Sequence, residues 1–251
     1  MQTLLRPRPG EPTLFGPPTN QCTQLWGVWE MWCVLPDGHE AATATPNVRG
    51  SGAKKGGMSK TKVKKATWLD QVRSIGLFDS AEGFWGIITC TLNPSQLPPG
   101  FNYYLFRRNI APMWEHEANR RGGRWVMRFR VSQHDDSPAT ALDGAVAAAA
   151  EGQLPVDRAW EALCVAMIGE QLPGDETEIC GAVVRRAERR RDWKLSLWTR
   201  TAADRCTQER IGFFVKDLLH LEDGSLQYFS HRELMQASEK GSWDVPPLYQ
   251  L

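Results

Sequence analysis

The residues best suited to ligand recognition lie in one short run, residues 112–125. It contains an aromatic face at Trp114, a carboxylate at Glu115 and a guanidinium at Arg124, and a Gly-Gly turn leads out of it. A tryptophan face attracts a cation, a carboxylate accepts paired N–H groups, and an arginine binds phosphate with two hydrogen bonds. Together these residue types predict a site for a flat, cationic, phosphorylated group.

The same run also has a structural interpretation. Trp114 and Trp125 would then be core residues, and Glu115 and Arg124 a solvated ion pair. The chain, however, has 11 tryptophans among its 251 residues, several times the ordinary usage. Such a number indicates either an unusually aromatic core or a site that stacks planar ligands.

Composition excludes several other classes of protein. With 30 basic and 29 acidic residues, any binding to nucleic acid must come from a local site and not from overall charge. No apolar stretch approaches the length of a membrane span, and prolines interrupt residues 1–18 where a signal peptide would be apolar. We therefore expect the protein to be cytoplasmic. Its composition is also compatible with a nuclear location.

The side chains give no indication of catalysis or metal binding. The six cysteines are scattered, without CxxC spacing or nearby histidine pairs, which argues against a zinc site and a disulfide framework. No nucleophile–base pair and no phosphate-cradling glycine loop stands out. We predict a non-enzymatic protein without cofactors or metals.

The length suits a single domain over residues 22–251, preceded by a proline-rich flexible tail over residues 1–21. Two stretches of shifted composition, at about 36–66 and 132–156, are predicted to be loop insertions. The first is rich in lysine. It is either a solvated insertion or a segment that contacts further phosphates of a bound RNA.

Residue patterns predict alternating strands and amphipathic helices. Asp79 and Ser80 indicate the start of a helix that ends before Asn93-Pro94, and Asp157 is expected to cap a second helix with an apolar stripe. A third helix is expected near 203–219, followed by a less regular tail. The predicted strands cover residues 22–35, 102–110, 125–131, 179–184, 193–199 and 226–230.

Tryptophans in a particular order give the chain a specific resemblance. Together with PMWE at 112–115, RGGRW at 121–125 and CGAVV at 180–184, they resemble the eukaryotic translation initiation factor 4E family, which binds the 7-methylguanosine cap of messenger RNA. The resemblance implies an α+β fold: a strongly curved antiparallel sheet with about three helices on its convex face. The tryptophans are Trp26, Trp29, Trp68, Trp85, Trp114, Trp125, Trp160 and Trp198.

The resemblance also implies a role for each residue of the cap site. Trp68 and Trp114 would sandwich the methylated base, Glu115 would accept its N–H groups, and Trp198 would lie near the methyl group. Arg124 and Lys194 would contact the phosphates. Trp125 would be structural, as would Trp26 and Trp29 in the first strand.

One phosphate contact cannot be placed by counting. The interval from Cys180 to Trp198 is two residues longer than in the family, so counting forward reaches Ala187 and counting back reaches Arg189. We favour Arg189, and Arg185 and Arg186 stay as alternatives.

On the convex face, the resemblance implies that Trp85 receives a short helix from a partner, either a 4G-type scaffold or a 4E-binding protein. Ala81, Glu161, Val165 and Ile168 would complete this surface. Ala81 and Glu161 replace apolar residues of the family, which suggests a different or modified partner sequence. Two alternatives stay open: a cap-binding repressor or storage factor that does not bind the scaffold, and an interaction module with weakened cap affinity.

Overall fold

The computed structural model describes residues 22–34, 72–130, 154–187, 192–241 and 244–251. The strands in these ranges are Gln24–Val34 (β1), Val72–Ser80 (β2), Asn102–Arg107 (β3), Gly123–Arg130 (β4), Ile179–Arg186 (β5), Asp192–Thr199 (β6), Gln227–Ser230 (β7) and Tyr249–Gln250 (β8). The α-helices are Ala81–Cys90 (α1), Val156–Ile168 (α2), Arg205–Leu219 (α3) and His231–Glu239 (α4). A 3-10 helix covers Pro94–Gln96.

All eight described strands form one antiparallel sheet, which is curved and does not close. Their order across the sheet is β2-β1-β3-β5-β6-β4-β7-β8. This architecture confirms the predicted α+β class with helices on the convex face, with four α-helices in the described residues instead of about three. The predicted tail at 1–21 and nearly all of both insertions lie outside the described residues.

Alternation along the strands divides their side chains between two faces. In β4, Trp125, Met127 and Phe129 are buried in the large core between the sheet and the helices. The residues between them point to the concave face, where a smaller cluster includes Phe106 and Trp198. Because side chains alternate with a period of two, each strand supplies side chains both to the core and to the concave face.

The local signal for α1 is confirmed. Ser80 is the N-cap, and its hydroxyl accepts a hydrogen bond from the backbone N–H of Gly83 at 3.2 Å. Glu82 lies in the first turn, where a carboxylate interacts favourably with the helix dipole. The helix ends at Cys90, before Asn93-Pro94, as predicted.

Three expectations about individual elements are wrong. Asp157 lies inside the first turn of α2, whose N-cap is Pro155, and its carboxylate instead accepts hydrogen bonds from the N–H and hydroxyl of Ser95. The tail after β7, expected to be less regular, forms the helix α4, which buries only His231 and Leu234. Trp26, expected to be structural, is 89% exposed, and it lies between Gln24 and Trp29, where the register of β1 with β2 shifts.

Candidate functional site

A cavity of about 500 Å³ opens on the concave face, between the β3–β4 loop and the central strands. The loop and the strands each contribute residues that the sequence had marked separately. The lining consists of Tyr104, Pro112, Met113, Trp114, Glu115, Arg124, Val183, Arg185, Lys194, Ser196 and Trp198. The structure thus brings an aromatic ring, a carboxylate and three cations into one cavity.

Asn119 holds the loop that carries Trp114 and Glu115. Its side-chain amide is fully buried and donates to the carbonyls of Ala111 and Met113, at 2.8 and 2.9 Å. The backbone carbonyl of Asn119 lies 2.9 Å from Nδ1 of His231, so the loop is also attached to the start of α4. These buried hydrogen bonds fix the backbone on both sides of the aromatic residue.

The guanidinium of Arg124 lies between two tryptophan rings. Its Cζ is 5.5 Å from the ring centroid of Trp114 and 5.9 Å from that of Trp198. Trp198 is itself fixed by ring contacts with Phe106 at 5.4 Å and His231 at 4.3 Å. The cavity therefore already places a cation within cation–π range of Trp114.

Strand register concentrates positive charge at one end of the cavity. Lys194 pairs with Arg128 across β4–β6 and with Arg185 across β5–β6. Burial, followed by the charges of Arg124, Arg128 and Arg185, lowers the pKa of Lys194 to about 7. Burial likewise lowers the pKa of Arg124 to about 10.

A bound anion offsets the repulsion among these clustered cations. Glu115 is the only acidic residue in the cavity lining given by the described residues, and it is exposed on the loop. Clustered cations disfavour one another's charged forms, and an anion favours them. The cavity thus combines a phosphate-type end with an aromatic and carboxylate end.

Two predicted residues, Trp68 and Arg189, lie outside the described residues. A third, Arg186, is not brought to the cavity. It follows Arg185 in β5 and therefore faces the helices, where it donates to the carbonyl of Leu97 and its Cζ lies 5.5 Å from the ring centroid of Trp193. Of the two described arginines of this hairpin, only Arg185 lines the cavity.

The sequence reasoning missed the residues that form the floor of the cavity. Tyr104, Val183 and Ser196 come from β3, β5 and β6, and each lies in a strand of mixed apolar and polar residues. The sequence showed that side chains in these strands alternate between two faces. It did not show which of the two alternating sets faces the cavity. Arg128, which influences Lys194, could have been found as an outward position of the predicted strand 125–131.

The predicted partner residues lie on or near the first two helices, but not all are accessible. Trp85 is 42% exposed and contacts Phe84, with ring centroids 5.0 Å apart. Ala81, Glu161 and Val165 are partly exposed, and Glu161 forms an ion pair with Arg158. Ile168 is buried in the main core, so its predicted contact with a partner does not fit the structure.

The described residues contain no cluster of three or more His, Cys, Asp or Glu side chains able to hold a metal ion. None of the six cysteines forms a disulfide bond. Of the helices that the structure describes, none is long and apolar enough to cross a membrane.

Comparison with known proteins gives consistent matches. The family model for eukaryotic initiation factor 4E matches residues 24–244. Eukaryotic translation initiation factor 4E of Eremothecium gossypii is 33% identical over 166 residues, which cover 66% of this chain and 68% of that protein. The protein of the same name from Dictyostelium discoideum is 32% identical over 181 residues, covering 72% of this chain but only 62% of its own length.

Solved structures agree with this result. A complex of C. elegans eIF4E-3 with the 4E-binding protein Mextli superimposes with a TM-score of 0.64 at 27% identity and covers 92% of this chain and 99% of that one. Ascaris suum eIF4E-3 in complex with m7G cap gives a TM-score of 0.63 at 27% identity, covering 92% and 98% of the two chains.

Proposed function

Since the chain belongs to the eukaryotic initiation factor 4E family, we propose that it binds the 7-methylguanosine cap of messenger RNA and recruits a scaffold protein for translation initiation. The observation that carries this proposal is the cavity that joins Trp114 and Glu115 to the cations Arg124, Arg185 and Lys194. These are the groups that a methylated, positively charged base with a triphosphate requires.

The base stacks on Trp114, and Trp68 closes the sandwich from the other side. Methylation gives the guanine ring a positive charge, so each tryptophan face adds a cation–π interaction of about 0.5–2 kcal/mol that unmethylated guanine largely lacks. The Trp114 ring already lies within cation–π range of a cation, since the Cζ of Arg124 is 5.5 Å from its centroid. Glu115 accepts hydrogen bonds from the guanine N–H groups, and Trp198 lies near the methyl group.

The triphosphate binds at the basic end of the cavity. Arg124, Arg185 and Lys194 supply the charge, and Arg189 in the β5–β6 turn is a further proposed contact. Arg124 is well placed for this role because its Nε is buried without a hydrogen-bond partner among the described residues. A phosphate oxygen within reach would satisfy that donor.

The remaining parts of the proposal concern the whole protein. Residues 22–251 act as one cap-binding domain, and a short partner helix binds the convex face at Trp85, with Ala81, Glu161 and Val165 around it. The protein works in the cytoplasm as a binding factor and not as an enzyme. The partner is a 4G-type scaffold or a 4E-binding protein.

The test is quenching of tryptophan fluorescence during titration with 7-methyl-GTP and with GTP. Wild type should prefer the methylated nucleotide. The Trp114→Ala variant should lose about 5- to 150-fold in affinity, because stacking of a base on an aromatic side chain contributes about 1–3 kcal/mol. Trp26→Ala is the matched control, since Trp26 is exposed and is not among the residues that line the cavity.

A wild-type protein that binds both nucleotides with the same affinity would contradict the proposal. So would a Trp114→Ala variant that keeps wild-type affinity for 7-methyl-GTP.

A further inference from the structure

Arg128 extends the basic end of the cavity beyond the cavity itself. It pairs with Lys194 of β6, which in turn pairs with Arg185 of β5. Residues that pair across neighbouring antiparallel strands have Cα atoms about 4.5–5.5 Å apart and side chains on the same face. Lys194 and Arg185 line the cavity, whereas Arg128 is exposed and lies outside the lining. The three cations therefore form one row across the sheet, and this row continues past the cavity on the β4 side.

The sheet is open on the far side of Arg128. Strand β7 pairs with β4 only from Gly123 to Val126. Among the described residues, no strand therefore pairs with β4 on that side at Arg128. A ligand that leaves the cavity past Lys194 can reach the guanidinium without crossing another described strand.

The charges on the concave face favour this direction for a phosphate. Asp192 is the only acidic residue in β4, β5 and β6, and it pairs with Arg130, one step further along the face than Arg128. On the opposite side of the cavity, β3 presents Asn102 and Tyr104 to the same face, and neither is a cation. The field at the basic end therefore attracts an anion towards the β4 side.

We infer that Arg128 binds the first phosphodiester of the capped RNA, which follows the first transcribed nucleotide. The inference rests on the proposed function, in which Arg124, Arg185 and Lys194 bind the triphosphate and the RNA chain begins at that end. Arginine suits this phosphate because its planar fork donates two parallel hydrogen bonds. A contact to the backbone carries no base preference, so Arg128 strengthens binding to capped RNA of any sequence.

The experiment titrates wild type and Arg128→Gln with 7-methyl-GTP, with the cap dinucleotide m7GpppG, and with m7GpppGpA, which adds one phosphodiester. Both proteins should bind the first two ligands equally. Arg128→Gln should bind m7GpppGpA about two- to fivefold more weakly than wild type. For this ligand, the slope of log affinity against log salt should become shallower by about 0.7, the value for one lost contact to a single strand.

The conditions and controls separate a direct contact from an effect through Lys194. Burial, together with neighbouring charges that include Arg128, lowers the pKa of Lys194 to about 7. The titrations are therefore made at pH 6, where Lys194 is already about nine-tenths protonated in wild type. Arg128→Lys keeps the charge and should keep most of the affinity for m7GpppGpA. Arg232→Gln removes an exposed arginine near the opposite end of β4 and should leave all these affinities unchanged.

Each alternative outcome has a distinct meaning. If wild type does not bind 7-methyl-GTP, the proposed function fails and this inference fails with it. If 7-methyl-GTP binds but Arg128→Gln matches wild type on m7GpppGpA, only the inference is overturned. It is equally overturned if Arg128→Gln loses as much affinity for 7-methyl-GTP as for m7GpppGpA, because Arg128 would then belong to the triphosphate site.

Discussion

Lys194 should make cap affinity depend on pH in a way that a single substitution removes. Its side chain lies on the concave face of β6, with Arg128 and Arg185 opposite it on the neighbouring strands. Burial and the charges of Arg124, Arg128 and Arg185 lower its pKa to about 7. Near neutral pH, about half of the unliganded protein therefore carries a neutral Lys194.

A bound triphosphate reverses this effect. Its negative charge favours the protonated amine, so the pKa of Lys194 rises towards its usual value of about 10.4 on binding, and binding takes up a proton. Affinity is then greatest below pH 7 and falls as pH rises. From pH 7 to pH 8 the protonated fraction of free Lys194 drops from about one half to about one eleventh, which lowers affinity about fivefold, or ~1 kcal/mol.

The assay is a fluorescence titration with 7-methyl-GTP at both pH values for wild type and Lys194→Arg. Arginine stays charged throughout this range. Because ionisation of the nucleotide affects both proteins equally, the ratio of their affinities isolates Lys194. This ratio should change about fivefold, whereas Lys240→Arg, an exposed lysine after α4, should follow wild type.

A ratio that stays constant between pH 7 and pH 8 would refute the reasoning. The sign can also be checked without ligand. Because the pKa of Lys194 is lower in the folded than in the unfolded chain, the unfolded chain binds more protons between about pH 7 and 10. Wild type should therefore gain stability relative to Lys194→Met as pH rises through that window.

Two further predictions concern packing and the convex face. Gly122→Ala should lower the melting temperature strongly, because an added Cβ would lie 1.8 Å from the carbonyl oxygen of Thr199. Gly86→Ala is the control: its added Cβ would have nothing within 4 Å, so it should stabilise the exposed helix by about 0.5–1 kcal/mol. Equal shifts of the melting temperature in the two variants would contradict this packing. Trp85→Ala should abolish capture by an immobilised 4E-binding helix peptide while keeping 7-methyl-GTP affinity, whereas Phe213→Ala, which also removes an exposed aromatic ring, should leave capture intact. Undiminished capture by Trp85→Ala would exclude this surface.

Much of the cap cavity could be predicted because its key residues are neighbours in sequence. Trp114 and Glu115 are adjacent on the loop, and Arg124 follows at the start of the next strand. The order of the tryptophans along the chain is a second, more specific pattern, and it indicates the family. Helix α1 was equally predictable, because the Ser80 cap and the acid in the first turn act within one helical turn.

The structure was needed wherever a residue's role depends on which face of a strand it occupies. Arg185 and Arg186 are adjacent arginines, but one lines the cavity and the other contacts Leu97 and Trp193. Alternation shows that they point in opposite directions, and only pairing with β3 and β6 decides which one faces the ligand. Tyr104 was missed for the same reason.

The sequence by itself determined the family, the α+β class, the aromatic and carboxylate end of the cavity, and the cations available to it. The tertiary structure alone decided that Arg124 lies near two tryptophan rings and that three arginines surround Lys194. Local propensities act over a few residues, whereas these features arise from strands distant in sequence. Strand register sets such distances, and only the packed sheet sets the register.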